Sequence, residues 1–323
     1  MRIIYFFMVL FLSMVVAFVF CFNIPVNKIF SITDDTSKVF RISKGESIHS
    51  ISKRLKADKL ILSDKIFQYG ARLTNLDKSI RYGDFNLHHT MSIYNILKKI
   101  TSNNDVKYNI YIRECITSWE IVELLKQNNF VINDLSDDKL EEGIFAPDTY
   151  AVSYKTRATD FLKLIHRKQT ERLNNVWLGR QANLPIDNKF ELLILASLIE
   201  KEAADVEEMA IVSSVFVNRL KKGMRLQSDP TVTYGIDLGN TSLRKPLKKS
   251  DLRVDSLHNT YRRLGLPVSP ICNPSEKAIQ AAANPTATEY FYFVMSESGE
   301  HVFAETFEEH KRNVSKWRMH LAK

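Results

Sequence analysis

The strongest constraint on this chain lies at its start. From Ile3 to Phe22 no residue carries a charge, and Tyr5 and Ser13 supply the only hydroxyls. A helix of about 20 such residues rises about 30 Å, the thickness of a bilayer's hydrocarbon core. The run therefore predicts one membrane-spanning helix. Because no second run of this kind follows, the remaining mass is expected on one side of the membrane. A cleavable signal peptide would want small side chains near its end, whereas Phe18, Phe20 and Phe22 are bulky. Phe20 before Cys21 also speaks against a lipoprotein cleavage site. The expectation is an uncleaved single-pass anchor, with a signal peptide as the alternative. Arg2 makes the first flank positive but Lys28 competes, so the charge signal for orientation is weak.

The 323 residues carry a formal charge of +8 and are 45% apolar, which allows one large domain or two modest ones. Basic residues are dispersed except at Arg244, Lys245, Lys248, Lys249 and Arg253; an acidic group sits at Asp137, Asp138, Glu141, Glu142 and Asp148. Both groups read as solvated faces, since no nucleic-acid motif accompanies them, and the basic excess suits work beside an anionic membrane. Cys115 and Cys272 lack CxxC spacing, so neither a zinc site nor a disulfide framework follows. Two unpaired thiols are the expectation and a Cys115–Cys272 bridge the alternative.

Residues 23–37 are polar and read as a linker after an anchor at 1–22. Val39–Ile42 alternates as a strand does, and Lys44-Gly45 turns it. Ile48, Ile51 and Leu55 then fall at helical spacing behind a candidate cap, Ser47. Ser63 opens a second helix, Tyr82–Leu87 is a strand, and Ser92 starts a helix with Ile93, Ile96, Leu97 and Ile100 on one face. This is a small α+β module over 38–103. A larger α+β domain over 104–323 follows. Its elements are a strand at Tyr108–Ile112, a helix capped by Ser118, and long helices over Phe161–Val176 and from Leu192 to Glu202. A helix over Ala210–Leu220, a short helix over Pro274–Ala283, and a hairpin of Tyr290–Val294 with His301–Phe303 complete it. Gly223–Thr231 reads as a polar loop.

The chemistry concentrates between Leu192 and Gly235. An apolar helix ends in Glu200-Lys201-Glu202, and a carboxylate set into a buried helix is costly unless it is paired or neutral. A carboxyl kept protonated near neutral pH is what general-acid chemistry requires. Two residues apart on a helix, Glu200 and Glu202 point about 200° apart and cannot form a facing acid–base pair. Glu200 shares a face with Ala196, Ser197, Ala203 and Ala204, small residues that would let a bulky substrate approach. Glu202 shares a face with Leu195, Leu198, Ile199 and Val206, which reads as packing surface. These residues alone leave the choice open, with access favouring Glu200. Helix-end carboxylates paired to Lys201 or Arg219 are the bland alternative.

Long ordered motifs carry a resemblance: Ala196–Glu202, Ser214–Leu220 and Gly223–Gly235, together with Glu142–Tyr150, Asn259-Thr260-Tyr261, Gly265-Leu266-Pro267, Tyr290–Val294 and Glu309-His310. Across essentially the whole chain they resemble the endolytic murein transglycosylases, the YceG-like family. Ala146 and Val268-Ser269 depart from its usual pattern, which bears on loop shape. The resemblance implies an anchored, outward-facing α+β enzyme of the inner membrane with a LysM-like module over 38–103. It also implies cleavage of the β-1,4 bond between N-acetylmuramic acid and N-acetylglucosamine, leaving a 1,6-anhydro end, and partners in wall synthesis and division. It implies Glu200 as the one catalytic acid, since a substrate that carries its own nucleophile replaces the second carboxylate of ordinary glycosidases.

Asn218, Gln227, Ser228 and Asp229 are candidates to hydrogen-bond sugar groups, and Tyr234 and Tyr261 to stack on sugar faces. Asn218 reads equally as a helix C-cap, and Asp229 before Pro230 equally as a turn residue. His301 and His310 lie outside any metal motif, so no metal or cofactor is expected. A wall-binding scaffold without activity and a hydrolytic muramidase, with Asp229 as its second carboxylate, are the rival readings.

Overall fold

The computed structural model describes residues 2–30, 37–102, 106–136, 140–203 and 205–321. Asp137, Asp138, Ala204 and the centre of the expected 23–37 linker lie outside them. The chain forms two compact units: 1–109 with 151–156, and 110–150 with 157–323.

The first unit begins with α1 (Arg2–Asn23), a 22-residue helix long and apolar enough to cross a membrane. Only its end is buried. The Phe22 ring lies so close to Gly70 that a Cβ there would sit 2.0 Å from Phe22 Cε2, so the glycine is what admits the ring. A short α2 (Asn27–Phe30) follows, its first amide donating to His89 O at 3.2 Å.

Then come β1 (Lys38–Ile42), α3 (Ile48–Ala57), α4 (Asp64–Leu73), β2 (Gly83–Leu87) and α5 (Ile93–Thr101). Ser47, Ser63 and Ser92 stand before the three helices as N-caps, accepting from the amides of Ser50, Ile66 and Asn95. β1 and β2 pair antiparallel with Phe40 opposite Phe85. Both rings join Ile51, Leu55, Phe67 and Leu97 in the core of this unit. Asp84, fully buried, is held by Arg41 at 2.8 Å and accepts the Tyr108 hydroxyl.

Strand β3 (Lys107–Ile112) leads into the second unit, which holds α6 (Ser118–Lys126) and β4 (Val131–Ile132); β5 (Asp148–Ser153) runs back into the first unit and β6 (Thr156–Arg157) leaves it again. β3 pairs with β5 and β4 with β6. The cap of α6 is Thr117, not Ser118: its hydroxyl accepts from Glu120 N while Glu120 accepts from Thr117 N, a complete capping box.

Next come α7 (Ala158–Leu178), α8 (Lys189–Glu202), α9 (Met209–Lys221), α10 (Asp229–Asp237) and α11 (Glu276–Ala283), then β7 (Tyr292–Met295), β8 (His301–Ala304) and α12 (Phe307–Leu321). The stretch expected as a loop to Thr231 thus ends at Ser228, where α10 starts with Pro230 in its first turn, a position that needs no backbone donor. α12 has no counterpart in the sequence reading because its apolar residues do not form a continuous stripe.

The order of packing follows from α8. Leu192 through Ile199 are all buried, so the helix is apolar on every side and must be surrounded. It packs on α7, α9, α10 and α11. Each Leu or Ile so enclosed contributes about 1.5–3 kcal/mol relative to leaving it in water.

Contrary to the expectation of free thiols, Cys115 and Cys272 are bonded, their Cα atoms 4.9 Å apart. Spacing could not reveal the pair, since 157 residues separate them and only the packing of the 270s segment beside Ile116 brings them together.

Candidate active site

Helix α8 ends with its two carboxylates opening onto two different cavities. Glu200 lines a cleft of about 580 Å³ with Glu114, Asp148, Arg172 and Ser275. Glu202 lines a pocket of about 310 Å³ with Gln227, Ser228, Asp229, Tyr261, Tyr292 and His310, among others. The helical geometry that forbids a facing pair has separated their surroundings.

The Glu200 side is built from the chain itself. Ala196 and Ser197, the small residues expected to admit a substrate, are fully buried. What they admit is the 271–275 segment: Ser197 Oγ accepts from Ile271 N at 3.1 Å, and Cys272 Sγ contacts Ser197 O. Glu200 Oε2 then accepts from Ser275 N at 2.8 Å. Ser275 caps α11 in the usual manner, its hydroxyl accepting from Ala278 N. Burial raises the Glu200 carboxyl above its ordinary range, against the Ser275 hydrogen bonds. Ala196 and Ser197 therefore receive the chain itself, since small side chains invite close approach by anything, and Glu200 meets its cleft beyond them.

The Glu202 side departs from local rules. Ser228 occupies the N-cap position of α10, yet its hydroxyl caps nothing. It donates to Glu202 Oε1 at 2.6 Å instead. Giving up a cap costs about 1 kcal/mol. Gln227, immediately before it, has φ +50°, a left-handed conformation that a non-glycine side chain adopts at a cost. Strain and a diverted cap around one carboxylate are what a functional site leaves in a sequence that otherwise obeys its propensities.

The frame that holds this geometry is buried. Thr260 Oγ1 accepts from Ser228 N at 3.0 Å, Thr260 O accepts from Gln227 N at 3.3 Å, and Thr231 closes the cluster on Thr260. Arg219 donates to Leu226 O and Phe291 O, both at 2.6 Å, tying α9 to the loop and to the start of the hairpin rather than pairing with Glu202. Burial raises the Glu202 carboxyl, Ser228 opposes that, and the Asp229 charge adds to it. Asp229, exposed, accepts the Tyr261 hydroxyl at 2.5 Å. Tyr261, Tyr292, Phe293 and Phe307 give the pocket aromatic walls, and such faces suit the apolar side of a sugar ring.

Of the six candidate binding residues, Gln227, Ser228, Asp229 and Tyr261 meet in this pocket. Two do not. Asn218 donates to Thr288 O at 2.8 Å and Tyr290 O at 3.0 Å, so its amide ties α9 to the segment before β7; the helix C-cap is Lys222. Tyr234 is 5% exposed, with its hydroxyl 3.3 Å from Glu142 Oε2 and its ring against His258, which leaves no face for a sugar.

Glu142 itself is buried, accepting from Ser118 N, Ser118 Oγ and Asn273 Nδ2 within 3.0 Å, and burial pushes its carboxyl up to about 7. His310, weighed in the sequence only within the Glu309-His310 motif and as a metal ligand, also lines the pocket. It stacks on Tyr292 at 5.2 Å, and burial, with the Arg219 charge, lowers its basicity. Among the described residues no three His, Cys, Asp or Glu side chains are grouped to hold a metal.

The YceG-like family profile matches residues 40–316. The chain belongs to the YceG-like family. It is 30% identical over 313 residues to the endolytic murein transglycosylase of Bacillus subtilis, a match spanning 87% of this chain and 85% of that one. The corresponding protein of Streptococcus pneumoniae strain D39 is 25% identical over 85% of this chain and 57% of its own. A crystal structure of a putative YceG-like protein from Listeria monocytogenes superposes with a TM-score of 0.51 at 27% identity, covering 86% of this chain and 99% of that one.

Proposed function

We propose that the chain is an endolytic murein transglycosylase, a lyase that cuts the β-1,4 bond between N-acetylmuramic acid and N-acetylglucosamine in peptidoglycan strands. Its single acid is Glu202. The observation that carries this reading is the Ser228 hydroxyl turned from its helix cap onto Glu202, in a pocket that also holds Gln227, Asp229 and Tyr261.

In the reaction, Ser228 engages Oε1 and leaves Oε2 to carry the proton. Desolvation favours that protonated state at the outset. Glu202 protonates the glycosidic oxygen as the bond to the muramoyl anomeric carbon breaks. The muramoyl 6-hydroxyl attacks that carbon, and its proton passes to the Glu202 carboxylate. The products are an N-acetylglucosamine end and a 1,6-anhydromuramoyl end, no water is consumed, and Glu202 regains its proton. Gln227 and Asp229 offer hydrogen bonds to hydroxyl and acetamido groups, and Tyr261 a stacking face.

Three features fit work on nascent strands at the outer face of a membrane. α1 is long enough to anchor the chain. The βααβ order of β1, α3, α4 and β2 suits a LysM-like, glycan-binding module. The Cys115–Cys272 disulfide suits an oxidising compartment outside the cytosol.

A second reading keeps one specific observation: Asp229 lines the same pocket as Glu202, as a muramidase's second carboxylate would. Mass spectrometry of peptidoglycan digested by the full-length protein separates the readings. Anhydro ends are expected. Reducing ends would establish hydrolysis, and intact strands would leave a binding scaffold.

A further inference from the structure

A buried carboxylate–imidazole pair stands behind the pocket. Glu208, the residue before α9, is 8% exposed, and the His301 side chain that opens β8 is 7% exposed. Glu208 accepts twice from this one residue: Oε1 takes His301 N at 2.6 Å, and Oε2 lies 2.7 Å from His301 Nδ1. A carboxylate can only accept, so Nδ1 carries a proton and the ring orientation is clamped by both bonds. The ring meets the edge of Phe293 at 5.1 Å between centroids, and Phe293 is a wall of the Glu202 pocket. Neither residue lines the pocket itself, and among the described residues no metal-binding group includes them. A buried carboxylate–imidazole pair costs desolvation that a pair of apolar residues would avoid, so its presence calls for a use.

We propose that Glu208 and His301 form a positioning pair that tunes Glu202 from behind Phe293, stabilising the carboxylate that Glu202 must become in mid-reaction. The proposal rests on the assignment of Glu202 as the acid. One residue serving first as acid and then as base works best when neither state is strongly preferred. Burial and the Asp229 charge push toward the protonated state, and His301 pulls the other way, as do Ser228 and Arg219. The groups around Glu202 are thus Asp229 of α10, Arg219 of α9, His310 of α12, Tyr292 of β7, and Ser228 and Tyr261 from the loops, with His301 of β8 behind Phe293. His301 is the member of that set whose ring a second carboxylate orients.

The test uses the full-length chain in detergent with glutamate carboxyls labelled with carbon-13, the Glu202 signal being the one lost in Glu202→Gln. Because His301 favours the Glu202 carboxylate, His301→Gln should move the Glu202 titration to higher pH by about half a unit or more. The alkaline limb of the rate of anhydro-end formation should move with it. Glu208→Gln should move the same titration, and the double variant should match His301→Gln alone, since coupled residues are not additive.

An unmoved Glu202 titration in a His301→Gln protein with normal melting overturns the proposal, whatever happens to the rate. Additive shifts overturn it as well. If His301→Gln does not fold, Glu208→Gln carries the decision on the same readout. A titration that moves in a protein making no anhydro ends would support the coupling while removing the transglycosylase reading.

Discussion

The two ends of the Glu200-Lys201-Glu202 turn make the instructive comparison. Both glutamates are half-buried and burial raises both carboxyls, so the direction of the shift does not separate them. What separates them is the behaviour of the serine each one meets. Ser275 keeps its helix cap while its backbone N–H and its hydroxyl both hold Glu200, which makes Glu200 a strut for the 271–275 segment. Ser228 forgoes its cap to hold Glu202, beside a left-handed Gln227. One carboxylate completes local structure, and the other is served at the expense of local structure.

The comparison breaks most directly at the carboxylates themselves. Glu202→Gln is expected to lower anhydro-end formation by about 10²–10⁴-fold, the usual contribution of a positioned acid, with unchanged circular dichroism. Glu200→Gln is expected to hold the rate within a few-fold while lowering the melting temperature. The reverse pattern in the same digestion assay would return the acid to Glu200.

The strut reading of Glu200 is sharpened by two other ties on the same segment. Removing the Cys115–Cys272 bond, as a double serine variant, should cost about 2–5 kcal/mol in denaturant unfolding. The rate per folded molecule should persist. A large loss of rate without loss of stability would mean that this segment shapes the Glu202 pocket after all.

Glu142, which ties Asn273 to Ser118, carries a smaller and pH-dependent effect. Its carboxyl is raised in the folded state to about 7 from an ordinary 4.5. The folded state therefore binds its proton more tightly than the unfolded chain. The stability so gained is complete below about pH 4.5 and is lost as pH rises through about 7. The span amounts to on the order of 3 kcal/mol. Glu142→Gln should flatten the dependence of melting temperature on pH across that window, and an unchanged slope would show that the carboxyl titrates normally.

Most of the first unit was legible because its rules are local. Alternation in Val39–Ile42, serine caps at 47, 63 and 92, and the Ile93–Ile100 stripe depend on neighbours within a few residues, and each appears in the structure where the pattern put it. The second unit was legible in its apolar helices and less so elsewhere. Thr117 took the cap from Ser118 because Ser118 was drawn to Glu142, 24 residues away. α10 was hidden behind a polar run whose first serine points out of its own helix. In the site, Gln227, Ser228, Asp229 and Tyr261 were identified without knowing which glutamate they faced, and Asn218 and Tyr234 were placed among them because polar and aromatic side chains look alike whether they bind a ligand or their own fold.

By itself the sequence determined an apolar N-terminal helix, a small α+β module, a helix apolar on all sides, and two carboxylates that helical pitch forbids from working as a pair. These follow from periodicity, which is a property of consecutive residues. Only the tertiary structure decided that Cys115 meets Cys272, that Ala196 and Ser197 receive the chain rather than a substrate, and that Ser228 serves Glu202. Each of those depends on which distant segment fills the space beside a helix face, and packing, not spacing, chooses the occupant.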